Sequence, residues 1–88
     1  MSYKVNEYVR WAEISHNAKG EVQSEGLYIF KIVEPKPTIY RVQLLKFPLD
    51  ELSVVIRPYN VIGFDKEELD KEGMSLGFDS ELIGLLYL

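Results

Sequence analysis

The chain holds one histidine, His16, and no cysteine. A histidine acting as a general base needs a carboxylate beside it, and one holding a metal needs further ligands. His16 lies between Ser15 and Asn17 in a polar stretch, with no second histidine to join it. It is expected to be a surface turn residue. The absence of cysteine removes thiolate nucleophiles, disulfides and cysteine-type zinc sites together. Carboxylates come in pairs: Asp50-Glu51, Glu67-Glu68, Asp70 with Glu72, and Asp79 with Glu81. Acid–base catalysis needs two carboxylates in unlike surroundings, one of them desolvated. These pairs sit in polar runs and read as solvated surface. Asp70 to Asp79 lacks the alternating acidic positions of a calcium loop. Ser15, Ser24, Ser53, Ser75 and Ser80 lack the glycine-flanked elbow of a hydrolase nucleophile. The expectation is a non-enzymatic protein with no catalytic residue, no cofactor and no metal.

One short echo runs through the second half. Ile62-Gly63-Phe64-Asp65-Lys66-Glu67 is matched by Leu76-Gly77-Phe78-Asp79-Ser80-Glu81. A metal held between Asp65 and Asp79 is one reading. The simpler one is a repeated turn or helix start, in which glycine bends the chain, phenylalanine packs inward and the aspartate accepts backbone N–H groups.

Aromatic side chains offer a different chemistry. Tyr3, Tyr8, Trp11, Tyr28, Phe30, Tyr40, Phe47 and Tyr59 are more rings than a small core hides. Set beside Arg10, Lys31 and Arg41, exposed rings would make a base-stacking platform with phosphate contacts. The alternative is that Tyr28, Phe30 and Tyr40 fill the core while Lys31 and Arg41, which have the opposite strand parity, face water.

The length of 88 residues bounds the chain to one small domain, residues 1–88, with a thin core. Hydrophobic residues make up 47% and charged ones 27%, the balance of a folded globule. A cysteine-free domain this small points to the cytoplasm. Residues 1–7 have no apolar run of signal-peptide type. The apolar run Leu82 to Leu88 is far too short to span a membrane. The net charge of −4 hides a split, with residues 1–49 carrying +2 and residues 50–88 carrying −6.

The elements that must position these residues are mostly strands. Leu27 to Val33 is rich in aromatic and β-branched residues and stops at Glu34-Pro35-Lys36-Pro37. Thr38 to Leu45 alternates, with Tyr40, Val42 and Leu44 on one face and Arg41 and Gln43 on the other. The two runs predict a hairpin. Ser53 to Arg57 predicts a further strand that ends at Pro58, with extended chain resuming from Tyr59 to Phe64. Asp65 to Gly73 predicts a short, acidic surface helix: Asp65 caps, Glu68 stands at capping-box spacing, Leu69 is its one apolar anchor, and Gly73 ends it. Ser80 to Leu88 reads as a final strand weakened by Gly84. At the N-terminus, Val5, Tyr8, Val9 and Ala12 fit helical spacing, whereas Tyr3, Val5, Val9 and Trp11 share strand parity. The favoured reading is strand with a break at Asn6-Glu7. The alternative is an α+β fold with an N-terminal helix packed on the sheet.

The whole is expected to be mainly β, a small antiparallel barrel or rolled sheet of about five strands. Tyr8-Val9-Arg10-Trp11 followed by Gly20-Glu21-Val22 resembles the opening of SH3-like or Tudor-type barrels. That resemblance implies a binding scaffold.

Three partner classes follow. The leading one is a protein-interaction or regulatory module with contacts at strand edges and at Trp11, Tyr59, Leu85 and Tyr87. An uncharged apolar strand at the C-terminus would need covering or pairing, so a homodimer through that strand is part of this reading. The second is a single-strand nucleic-acid binder using Arg10, Lys31 and Arg41. The third is an acidic inhibitor presenting Glu67, Glu68 and Asp70 to a basic site. No membrane partner is expected.

Overall fold

The computed structural model describes residues 2–47 and 60–88. The described chain builds five strands and two short helices: β1 (Tyr8–His16), β2 (Val22–Pro35), β3 (Ile39–Lys46), β4 (Val61–Asp65), α1 (Lys66–Glu72), β5 (Met74–Gly77) and α2 (Ser80–Tyr87). The strands form one antiparallel sheet in the order β4-β3-β2-β1-β5. The fold is mainly β, as expected. Among the described residues the sheet is open, with β4 and β5 at its two edges, and does not close into a barrel.

Turn chemistry sets the register. The side-chain oxygen of Asn17 accepts from the N–H groups of Lys19 (2.9 Å) and Glu21 (3.1 Å), and Gly20 takes φ +81°, closing the β1–β2 hairpin. The long hairpin β2–β3 turns at residues 36–38, where Lys36 N donates to Ile39 O at 2.9 Å. A register shift between Ile32 and Glu34 marks a bulge there. The N-terminal segment is strand from Tyr8, preceded by a turn in which Asn6 adopts φ +69°. The break expected at Asn6-Glu7 is present, and the helical alternative is not.

Alternation divides the sheet into two faces. On one, Val9, Phe30, Ile32, Tyr40, Val42 and Leu44 are buried with Leu69 of α1, and Trp11, Tyr28, Ile62 and Phe64 pack around them. On the other, Tyr8 and Ile29 are buried with Ile83 of α2, flanked by Leu27, Leu45 and Tyr87. The thin sheet thus has a core on each side, each anchored by a single fully buried helical residue.

Helix α1 follows its sequence signals. The Asp65 side chain accepts from Glu68 N at 3.3 Å, and Gly73 N donates to Leu69 O at 2.8 Å. The C-terminal reading is corrected. Residues 80–87 are helix, so no C-terminal strand exists through which a homodimer could pair. Asp79 is the reason: one of its oxygens accepts from both Glu81 N and Leu82 N at 3.1 Å, capping the first turn. Ile83 and Tyr87, four apart, then share the face that meets the sheet. The short strand β5 was not anticipated. The strand expected at Ser53 to Arg57 lies outside the described residues.

Candidate functional site

Three surfaces follow from this framework: a polar node between sheet and α1, a basic stripe on the opposite face, and the outer side of α2.

The polar node is built on Tyr40. Its side chain is fully buried, and its hydroxyl donates to the Asp70 carboxylate while accepting from Tyr3 N at 3.0 Å. The Tyr3 and Tyr40 rings lie 5.7 Å apart. Burial raises the Tyr40 phenol above its ordinary value of 10, and the hydrogen bond to Asp70 raises it further. Burial also raises Tyr3, with the charges of Asp70 and Glu7 adding to the shift. Both phenols therefore stay protonated. Nearby, the buried Glu7 accepts from Lys4 N at 3.0 Å and from the Ser75 hydroxyl, tying the N-terminal turn to β5. Lys66 Nζ sits 5.1 Å from the Tyr40 ring centroid and donates to Lys36 O at 3.0 Å. An open depression of about 700 Å³ lies outside this node, between Thr38 and α1, with Asp65, Lys66, Asp70 and Lys71 along it. With Glu67 its charges are mixed in sign, and Asp65, Lys66 and Asp70 are engaged with the protein itself. The node binds α1 and the N-terminal arm to the sheet.

Trp11 belongs to a ring cluster, with centroids 5.2 Å from Tyr28 and 5.0 Å from Phe64. Phe30 and Phe64 extend the cluster at 5.1 Å. The Trp11 ring is half-buried there, and its indole Nε1 is buried without a hydrogen-bond partner among the described residues. Arg10, Lys31 and Arg41 alternate with Trp11, Tyr28, Phe30 and Tyr40 and so lie on the face opposite these rings. The Trp11 cluster is thus parted from these cations, and the rings on their own face, Tyr8 and Tyr87, pack into the Ile83 core, whereas a stacking platform with phosphate contacts brings open rings and cations together. Arg41 also has Glu34 at 3.7 Å, and Lys36 approaches the same carboxylate at 3.8 Å.

Among the acidic residues, Glu67 is exposed, Glu68 is half-buried in the capping turn, and Asp70 is held by Tyr40. Asp65 and Asp79 each cap their own helix. Among the described residues no three His, Asp or Glu side chains gather as metal ligands. His16 is exposed, at the end of β1 beside the Asn17 turn. Tyr59 lies outside the described residues.

The outer side of α2 is different in kind. Tyr87 turns inward to the sheet, and its carbonyl accepts from Lys46 Nζ at 2.9 Å. Leu85 points the other way and is 84% exposed. Leu82 (48%), Leu86 (65%) and Leu88 (58%) surround it. At 100° per residue, Leu82, Leu85 and Leu86 fall on one stripe about 100° wide, with Leu85 about 160° from Ile83 and Leu86 at the border of the covered side, about 60° from it. A helix apolar on all sides is normally covered on all sides, but here only one side is covered. Of the four leucines, the sequence singled out Leu85 alone. The helical spacing that joins it to Leu82 and Leu86 was the signal for the rest.

The chain matches no known protein family, no curated protein and no solved structure. No helix of the described residues is long and apolar enough to cross a membrane.

Proposed function

We propose that this chain is a non-enzymatic, cytoplasmic protein-interaction module whose contact surface is the outer face of α2. The observation that carries the reading is the exposed stripe of Leu82, Leu85 and Leu86 on a helix already fixed to the sheet by Ile83. Large apolar side chains grouped on a rigid element are the usual centre of a protein interface. The polar groups elsewhere are occupied in holding the fold together: Asp70 by Tyr40, Glu7 by Ser75, Asp65 and Asp79 by helix N–H groups. Cysteine-free composition suits a reducing compartment.

The nucleic-acid reading draws on Arg10 and Lys31 alone, the rings on their face, Tyr8 and Tyr87, being packed into the Ile83 core, and the inhibitor reading on Glu67 and Glu68. Affinity capture with three baits separates these readings: the native chain, Leu85→Glu, and the double change Arg10→Glu with Lys31→Glu. A specific partner retained by the double variant and lost by Leu85→Glu supports the α2 surface. A partner or oligonucleotide lost only with Arg10 and Lys31 replaces it with the basic-stripe reading.

A further inference from the structure

We infer that the occupant of the α2 face is a second copy of this chain, the two helices packing antiparallel about a two-fold axis. The inference rests on the interaction-surface reading above and names the partner for it. Two observations select a second copy.

The first is charge complementarity along the helix. Glu81 lies in the first turn of α2, seven residues before Leu88 and four before Leu85, and is exposed. Lys46 lies at the other end, where its Nζ caps Tyr87 O at 2.9 Å. The capping carboxylate of Asp79 adds to the negative end. When two such helices run antiparallel, the acidic start of each meets the Lys46 end of the other, and this happens twice by symmetry. The helix dipoles also oppose. A parallel arrangement would set Glu81 against Glu81 and Lys46 against Lys46. The surface is thus complementary to itself in one orientation.

The second is area. From their exposed fractions, Leu82, Leu85, Leu86 and Leu88 offer roughly 450 Å² of apolar surface per copy, so about 900 Å² between two copies before Glu81, Gly84 and Lys46 are counted. With those flanks the contact reaches the roughly 1,000 Å² at which specific interfaces begin. A contact at this lower limit suits a reversible dimer rather than an obligate one.

Sedimentation equilibrium of the full chain tests this. Between about 1 µM and about 1 mM, the range of weak, reversible pairing, the mass rises from one chain towards two. Leu85→Glu holds the mass at one chain throughout. That side chain is outside the core, so the far-ultraviolet circular dichroism stays native. Glu81→Lys and Lys46→Glu each raise the dissociation constant about fivefold or more, and the two reversals together bring it back to within about twofold of the native value. A chain that stays monomeric overturns the inference, as does a dimer indifferent to Leu85→Glu or reversals that do not rescue one another. A monomer that still captures a Leu85-dependent protein sinks self-pairing and leaves the interaction surface standing. A monomer that captures nothing through Leu85 sinks both.

Discussion

The hydroxyl of Tyr40 donates to the carboxylate of Asp70, joining β3 to helix α1 across thirty residues of chain. The same oxygen accepts from Tyr3 N, so one atom fastens the N-terminal arm, the sheet and the helix. Tyr40→Phe keeps the ring and removes the oxygen. It leaves a half-buried carboxylate and a backbone N–H without their partner, a loss of about 1–3 kcal/mol. Urea unfolding followed by the fluorescence of Trp11, the sole tryptophan, measures it. Asp70→Asn retains an acceptor and should cost less than Tyr40→Phe. A larger cost would show that the carboxylate's charge matters more than the hydrogen bond.

The two phenols at this junction, Tyr3 and Tyr40, set an alkaline limit. Both Tyr3 and Tyr40 have pKa values raised above 10 in the folded chain, first by burial and then by nearby carboxylates. The folded state therefore holds these protons more tightly than the unfolded state does. Their stabilising contribution is complete below pH 10 and is lost as the pH climbs through the folded values. Unfolding free energy should fall above pH 10. In Tyr40→Phe, which starts less stable at neutral pH, the fall should be shallower. Parallel slopes for the two proteins would show that the Tyr40 phenol does not govern the transition.

Gly73 is needed for closeness rather than for an unusual backbone angle, its φ being −77°. A Cβ there would stand 2.4 Å from Leu69 O, 2.9 Å from Val9 Cγ1 and 3.0 Å from the Tyr3 hydroxyl. The first of these atoms is backbone and cannot rotate away. Gly73→Ala should destabilise by about 1–3 kcal/mol, read from the shift of the urea midpoint at constant slope. Gly84→Ala is the control. A Cβ at Gly84 meets nothing within 4 Å, and alanine favours the helix by about 1 kcal/mol.

Much of this fold was legible in the residues. Alternation in Thr38 to Leu45 placed Tyr40, Val42 and Leu44 inward, and all three are buried. Asp65, Glu68 and Gly73 placed α1 to the residue, because capping is local chemistry. The strand near Tyr8 was harder, since its apolar residues fit both periods. The pairing of β1 with β2 and β5 settles what local pattern leaves open. The C-terminus went wrong for a related reason. A run of leucines has no polar phase, and Gly84 hides what phase remains. Yet the echo of Phe64-Asp65 in Phe78-Asp79 held the answer, for both aspartates start helices. The Tyr40–Asp70 and Glu7–Ser75 contacts join residues 30 and 68 positions apart and leave no local mark.

The two sides of α2 should answer differently to truncation. Ile83 is 2% exposed and is the helix's buried anchor on the Tyr8–Ile29 face. Ile83→Ala removes packed atoms from a thin core and should cost about 2–4 kcal/mol. Asp79→Ala removes the cap that receives Glu81 N and Leu82 N and should cost about 1 kcal/mol. Leu85→Ala touches neither and should change the stability of dilute protein by less than about 0.5 kcal/mol. At high concentration the order changes. If leucine-to-leucine contact holds two copies together, Leu85→Ala lowers the melting temperature of concentrated protein while leaving that of dilute protein unmoved. Equal melting shifts at both concentrations would place Leu85 in the fold of the single chain and remove it from the interface.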